Sequence, residues 1–306
     1  MNVRRLLGLD LGGTNIKTAV LEVDGPSYRT VASVTDPARA EEGPDVVIER
    51  LVELGRRAVE HHGPLEAVGV GVPGLFDRDH GTIRLFPNLP GPWPGHPLRE
   101  PVAQGLGIPA TLINDARAFT LAEGILGAGR GHRLVAGLVL GTGVGGGLLI
   151  DGRIELGAWG VAGEIGHQTV EPDGPRCGCG NRGCVEALAQ ADALARLAGR
   201  STAEQVFEGV RAGDERCRHA VETIAGYLGI ALANVVTVLG PRRIVIGGGI
   251  AAAGELVVGP IREAVRRRVT LVPADEIEVV PAALGPFAGA IGAALAAEQL
   301  SARARP

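Results

Sequence analysis

The sequence predicts an α/β protein built from two similar domains. Three observations carry this. Short apolar strands alternate with amphipathic stretches along nearly the whole chain. Leu6 to Gly25 (LLGLDLGGTNIKTAVLEVDG) resembles Val135 to Ile154 (VAGLVLGTGVGGGLLIDGRI). The length, 306 residues, suits about two domains. A repeat so far apart points to duplicated domains rather than to a short-period solenoid.

Each copy reads as an apolar strand, a glycine-threonine turn, a second apolar strand and an Asp-Gly turn: a β-hairpin followed by another hairpin turn. Between the copies, Pro44 to His62 has helical periodicity, with Val47, Leu51, Leu54 and Ala58 on one face. EAVGVGVPG reads as a buried strand ending in a turn. Residues 86 to 101 form a Pro/Gly-rich loop. ATLIND is a strand and ARAFTLAEGILGAG a helix ending in glycines. Beyond the second copy, helices are expected over about Ala189–Gly240. RRIVIGGGI is a strand, Glu255–Arg268 a helix, EIEVVPA a strand and Ala288–Leu300 a final helix.

Hydrophobic residues make up 45% of the chain, enough for a sizeable core, and the net charge is −4. That balance argues against a nucleic-acid binder that works by electrostatic attraction. No apolar stretch reaches about 18 uninterrupted residues. The N-terminus begins like a signal peptide, but Asp10 and its glycines interrupt the apolar run, so it reads as a first strand and the protein as cytoplasmic. Lys17 is the only lysine. Codon bias or thermal adaptation accounts for that without any function.

Four motifs carry possible chemistry. In DLGGT, Asp10 to Thr14, glycines at a tight turn let backbone N–H groups approach an anion, and Thr14 adds a hydroxyl. An ordinary hairpin turn has the same sequence. The second turn, GTGVGGG at Gly141 to Gly147, suggests a pair that holds a polyphosphate. Asp10 has no counterpart there, since Val139 takes its place, and a lone carboxylate beside a phosphate turn suits hydrated Mg²⁺. Asp115, in IND, ends a strand and opens a helix. It is either an N-cap or the base that takes a proton from a phosphoryl acceptor. Gly248 and Gly249, after the strand RRIVIGGGI, allow close approach of a flat ligand such as a purine, or simply turn the chain.

The fourth motif is GEIGHQTVEPDGPRCGCGNRGCVE, Gly163 to Glu186, which holds three of the four cysteines. A loop this rich in glycine cannot order itself by burial. His167, Cys177, Cys179 and Cys184 would supply the four N/S ligands of a structural Zn²⁺, with free thiols or a disulfide as the alternatives. Glu171 and Asp173 read as solvated charges, Cys217 as a small buried residue, and His61, His62 and His132 as surface residues.

Taken in order, DLGGT, Pro87-Asn88-x-x-Gly91 with Trp93, NDA, GTGVGGG, GEIGH, CGCGNRGC-x-Glu186 and IVIGGGI resemble the ROK family of bacterial sugar kinases and related repressors. The resemblance runs from about Leu6 to Leu295 and is nearest to the family's glucokinases. It implies an actin-like ATPase (ribonuclease H-like, hexokinase-type) fold with two domains around a cleft. The expected domains are residues 1–115 with 290–306, and 116–289 carrying the zinc loop. The implied activity is ATP-dependent phosphorylation of a hexose, glucose at its 6-hydroxyl first, with mannose, fructose, allose or an N-acetylated hexosamine as alternatives. Asp115 would be the general base. Asn88, Asn114, Glu164, His167 and Glu186 would bind sugar hydroxyls. Asp10, Gly12, Gly13, Thr14 and Gly141, Thr142 and Gly143 would lie at the ATP phosphates with Mg²⁺, and Gly248 and Gly249 near the nucleotide. Zn²⁺ would sit on His167, Cys177, Cys179 and Cys184, one histidine nitrogen on the metal and the other on the sugar. A homodimer or homotetramer is expected. Arg117 stands where the family has asparagine. The family's repressors carry an N-terminal helix-turn-helix, for which the early first strand leaves no room.

Overall fold

The computed structural model describes residues 3–87 and 89–303. The chain separates into two compact units, Met1–Ala122 with Pro286–Pro306, and Glu123–Gly285.

The first unit opens with β1 (Arg4–Leu11), β2 (Asn15–Asp24) and β3 (Ser27–Pro37), then α1 (Pro44–His62) and β4 (Ala67–Val72). A small hairpin, β5 (Leu75–Phe76) and β6 (Ile83–Leu85), leads to α2 (Arg99–Leu106), β7 (Ala110–Asn114) and α3 (Asp115–Ile125). Its main sheet has the order β3-β2-β1-β4-β7. The two hairpin pairings are antiparallel; β1–β4 and β4–β7 are parallel. AVGVGV is buried along its whole length, as a central parallel strand must be. The α1 boundaries follow from Pro44 in the first turn and Gly63, at φ 80°, after the last. Its buried face is Val47, Ile48, Leu51, Val52, Leu54 and Ala58. The proline-rich segment before α2 is ordered by Trp93, which is buried against Phe86 with ring centroids 4.8 Å apart and donates its indole N–H to Pro90 O.

The second unit contains β8 (Leu134–Leu140), β9 (Val144–Ile150), β10 (Arg153–Ile154), α4 (Val185–Ala189), α5 (Ala191–Ala198) and α6 (Ala203–Arg211). Then come α7 (Glu215–Leu239), β11 (Arg243–Gly247), α8 (Glu255–Arg266) and β12 (Glu278–Pro281). The sheet order, β10-β9-β8-β11-β12, repeats that of the first unit with the same directions. The internal repeat in the sequence is therefore a repeat of topology. Asp214 caps α7 by accepting from the N–H groups of Arg216 and Cys217, and Gly240 ends it in the left-handed region. α7 is long and apolar enough to cross a membrane by length and composition, but it packs on α4, α5, α6 and α8. Cys217 is fully buried on it.

The last helix, α9 (Ala288–Arg303), packs on β1, β2, β4 and β7 of the first sheet. The contact is backbone against backbone. A Cβ at Gly8 or Gly69 would come within 1.8 Å of Ala290 O or Ala293 O. The small residues of AGAIGAALAA match, since bulk on either side would hold helix and sheet apart.

Candidate functional site

In the first unit, the parallel strands bring three candidate residues to one end of the sheet. Asp10 is in register with Gly71 of β4, and Gly71 with Ile113 of β7, next to Asn114 and Asp115. Two strand spacings make about 10 Å. Carboxyl ends of parallel strands are where α/β proteins bind ligands.

Asn114, not Asp115, caps α3. Its Oδ1 accepts the N–H of Arg117 at 3.2 Å, while its Nδ2 donates to Gly74 O at 3.3 Å. The capping role considered for Asp115 thus falls to its neighbour. Asp115 occupies the first helical position, half-buried, with Oδ1 accepting from Ala116 N–H at 2.8 Å. Arg117 is buried.

The turn beside Asp10 is closed by Gly12 N–H donating to Asn15 O at 2.9 Å, and Gly13 and Thr14 are exposed. Burial pushes the Asp10 carboxyl up to about 6, and the Lys17 ammonium pulls it back. Lys17 is its cross-strand partner. The only lysine of the chain therefore faces the one carboxylate of the turn. The signal was available, because a hairpin turning at residues 12–15 pairs residues whose numbers sum to 27. Gly289, in the first turn of α9, is a further neighbour: a Cβ there would lie 2.5 Å from Asp10 Oδ2. Nothing in the sequence around Gly289 announces that contact.

In the second unit, Gly141 N–H donates to Gly143 O at 2.9 Å across the turn between β8 and β9; Thr142 is exposed. Two of the glycines after it, Gly146 and Gly147, are packed closely: a Cβ on Gly146 would stand 2.5 Å from Gly163 O. Gly163 lies on Gly147, where a Cβ would meet its Cα at 2.9 Å, and Gly166 lies on Val144 O, where a Cβ would come within 1.8 Å. GEIGH is thus pressed onto β9 backbone to backbone. Gly248, at φ 92°, packs over Leu140 O at the end of β8, whereas Gly249 has no neighbour within 4 Å of an added Cβ.

A 3₁₀ turn, Ile165–His167, carries the histidine, and Cys184 precedes α4, which carries Glu186. His167 Nδ1 is 3.6 Å from Cys177 Sγ, and the Cys179 and Cys184 sulfurs are 3.7 Å apart. All four ligand atoms lie within 4.8 Å of one another, and all the cysteines are free thiols. A tetrahedral ion with bonds of about 2.3 Å to sulfur and about 2.0–2.1 Å to nitrogen has edges of about 3.8 Å and 3.6 Å. The observed separations match, and three sulfurs with one imidazole are the donor set of a structural zinc site. Nδ1 faces the sulfurs, which leaves Nε2 for another partner. Burial pushes the Cys177 thiol up to about 12 and raises Cys184, while the Asn181 N–H lowers Cys179. Binding a metal would therefore displace protons.

The loop also has backbone support: Cys177 N–H donates to Asn181 O, Gly183 N–H to Pro175 O, and Val185 N–H to Gln168 O. Gln168 Nε2 reaches Ala231 O of α7 at 3.4 Å, a residue no motif singled out. Glu171 and Asp173 are exposed, as expected of solvated charges. Glu164 is half-buried at the start of the 3₁₀ turn. Glu186 Oε2 accepts from Val144 N–H at 3.1 Å, and its Oε1 is 3.6 Å from Cys177 Sγ. Asn88 lies outside the described residues.

Comparisons with known proteins place the chain among its relatives. The ROK family model matches residues 6–300. The glucokinase of Thermotoga maritima is 37% identical over 311 aligned residues, 95% of this chain and 96% of its own length. The crystal structure of a ROK hexokinase from Thermus thermophilus superposes with a TM-score of 0.86 at 39% identity, over 98% of this chain and 99% of that one. A ROK family glucokinase from Streptomyces griseus, crystallised with glucose and AMPPNP, gives 0.81 at 32% identity, over 97% and 100%. With the duplicated sheets, the two glycine turns and the His/Cys₃ cluster in hand, the chain belongs to the ROK family.

Proposed function

We propose that the chain is an ATP-dependent hexose kinase that phosphorylates glucose at its 6-hydroxyl. The observation that carries this reading is the carboxylate of Asp115. It stands at the carboxyl end of β7 while Asn114 supplies the helix cap. Asp115 takes the proton of the sugar hydroxyl. The oxygen attacks the γ-phosphorus, and the bond to the β–γ bridging oxygen breaks, releasing ADP. Asn88, Asn114, Glu164, His167 and Glu186 hold the sugar. Asn114 Nδ2 has a second hydrogen for this beyond the one given to Gly74 O.

Gly12, Gly13, Thr14, Gly141, Thr142 and Gly143 offer donors to the phosphates, and Gly248 and Gly249 flank the nucleotide. Asp10 would hold Mg²⁺, which would supply neutralisation of charge on the phosphates. His167, Cys177, Cys179 and Cys184 would hold a structural Zn²⁺, which would order the loop. His167 Nε2 would face the sugar. Support comes from the sugar kinases among the relatives and from the Streptomyces griseus relative crystallised with glucose and AMPPNP. A homodimer or homotetramer is the assembly proposed.

The test is a coupled assay across a panel of hexoses with ATP. Glucose should give the highest kcat/KM. Asp115→Asn should retain glucose binding and lose about 10²–10⁴-fold or more in kcat. A folded variant with near-native kcat would remove Asp115 from the base role, and activity on no hexose would remove the kinase reading.

A further inference from the structure

The turn at Gly141–Gly143 and the cysteine loop share a side chain. Glu186 Oε2 accepts the N–H of Val144, the residue that closes the turn, and Oε1 lies against Cys177 Sγ. A Cβ on Gly143 would stand 2.7 Å from Glu186 Oε2. The helix bearing Glu186 starts directly after Cys184, one of the four candidate metal ligands. The turn is flanked by the paired residues Leu140 and Val144. Its own bond is Gly141 N–H to Gly143 O, and Ala191 N–H reaches Gly141 O just past the same helix.

We propose that Glu186 is a positioning residue for the nucleotide turn, passing the order of the metal loop to Val144, so that metal occupancy sets nucleotide affinity as well as sugar affinity. This rests on the reading of Gly141–Gly143 as a phosphate turn. The strut is a charge-assisted hydrogen bond in which the Glu186 carboxylate accepts the Val144 N–H. Once the metal leaves, the start of α4 is released and Oε2 drifts from Val144. The turn then loses its fixed N–H directions and binds phosphate oxygens more weakly.

The experiment is calorimetric titration of Mg·ADP, without sugar, into zinc-loaded protein, chelated protein, Glu186→Ala, Glu186→Gln and chelated Glu186→Ala. Glu186→Ala should weaken ADP about 10- to 100-fold, the scale of losing one hydrogen bond to a charged group. Chelation should weaken it comparably, and chelating the alanine variant should add little, because both remove one strut. Glu186→Gln keeps an acceptor for Val144 and should bind ADP within about twofold of the unmodified protein. Unchanged or tighter ADP binding by a folded Glu186→Ala overturns the proposal, as do fully additive effects. Hydrogen exchange at the Val144 amide gives a ligand-free readout: protected with zinc, unprotected after chelation or in Glu186→Ala. If the unmodified protein binds no ADP, the phosphate-turn reading fails, and exchange at Val144 alone decides the strut.

Discussion

Two carboxylates meet different surroundings at the scale of single residues. Asp10 is enclosed by strand and helix backbone, and its pKa rises to about 6 because burial disfavours its charge. A group whose folded pKa is raised contributes stability that is fully present below its unfolded pKa, about 3.9. That contribution is lost as pH rises through the folded value. At neutral pH, without Mg²⁺, Asp10 is therefore ionised at a cost to the fold. Asp10→Asn should be more stable than the unmodified protein at pH 7, and the difference should shrink between about pH 6 and pH 4. Urea midpoints measured in parallel at each pH test this. Glu123 is fully buried, yet its carboxylate accepts the N–H groups of Ala128, Ala283 and Leu284 at 2.8–3.1 Å. Glu123→Ala removes the acceptor of three N–H groups and should cost about 1.5–3 kcal/mol. Chemical denaturation of the variant reports it.

Glycine supplies the contrast within a single element. Gly226 and Gly229 both lie inside α7. Around Gly226 an added Cβ meets nothing within 4 Å, while at Gly229 it would stand 2.5 Å from Ala264 Cβ on α8. Gly226→Ala should stabilise the protein by up to about 1 kcal/mol, because alanine restricts the unfolded chain and suits a helix. Gly229→Ala forces α7 and α8 apart and should cost about 1–3 kcal/mol. Thermal midpoints that move in the same direction for both would show that helix propensity, not packing, rules this element. The same logic explains why the second hairpin has so many glycines. Gly146 and Gly147 make room for GEIGH.

For the molecule as a whole, each unit has its own hydrophobic core, one built around β8, β11 and α7, the other around β1, β4 and α1. The His/Cys₃ cluster belongs to the unit of β8, β11 and α7, whose core takes in Ile165 and Val185, while Cys177, Cys184 and Ala187 form a small satellite. Removing the metal should therefore loosen a loop rather than unfold the chain, unlike a zinc finger. Hydrogen exchange after chelation should show lost protection over residues 164–186 and at Val144, with β1, β4 and α1 unchanged. Loss of protection throughout the first unit would mean that the metal supports far more than its loop.

The sequence by itself determined the α/β class, the duplicated hairpins, the limits of α1 and the identity of the cysteine-histidine group. Each of these is written in local periodicity, turn chemistry or spacing, which neighbouring residues decide. Only the tertiary structure decided that Asn114 rather than Asp115 caps α3, since two adjacent polar residues at a strand end offer the cap equally well. Only the structure seated α9 on Gly8 and Gly69, set Gly289 against Asp10, and joined Glu186 to Val144 across 42 residues. Such contacts come from segments far apart in the chain meeting at backbone distance. No local pattern encodes which glycine faces a helix and which faces open space.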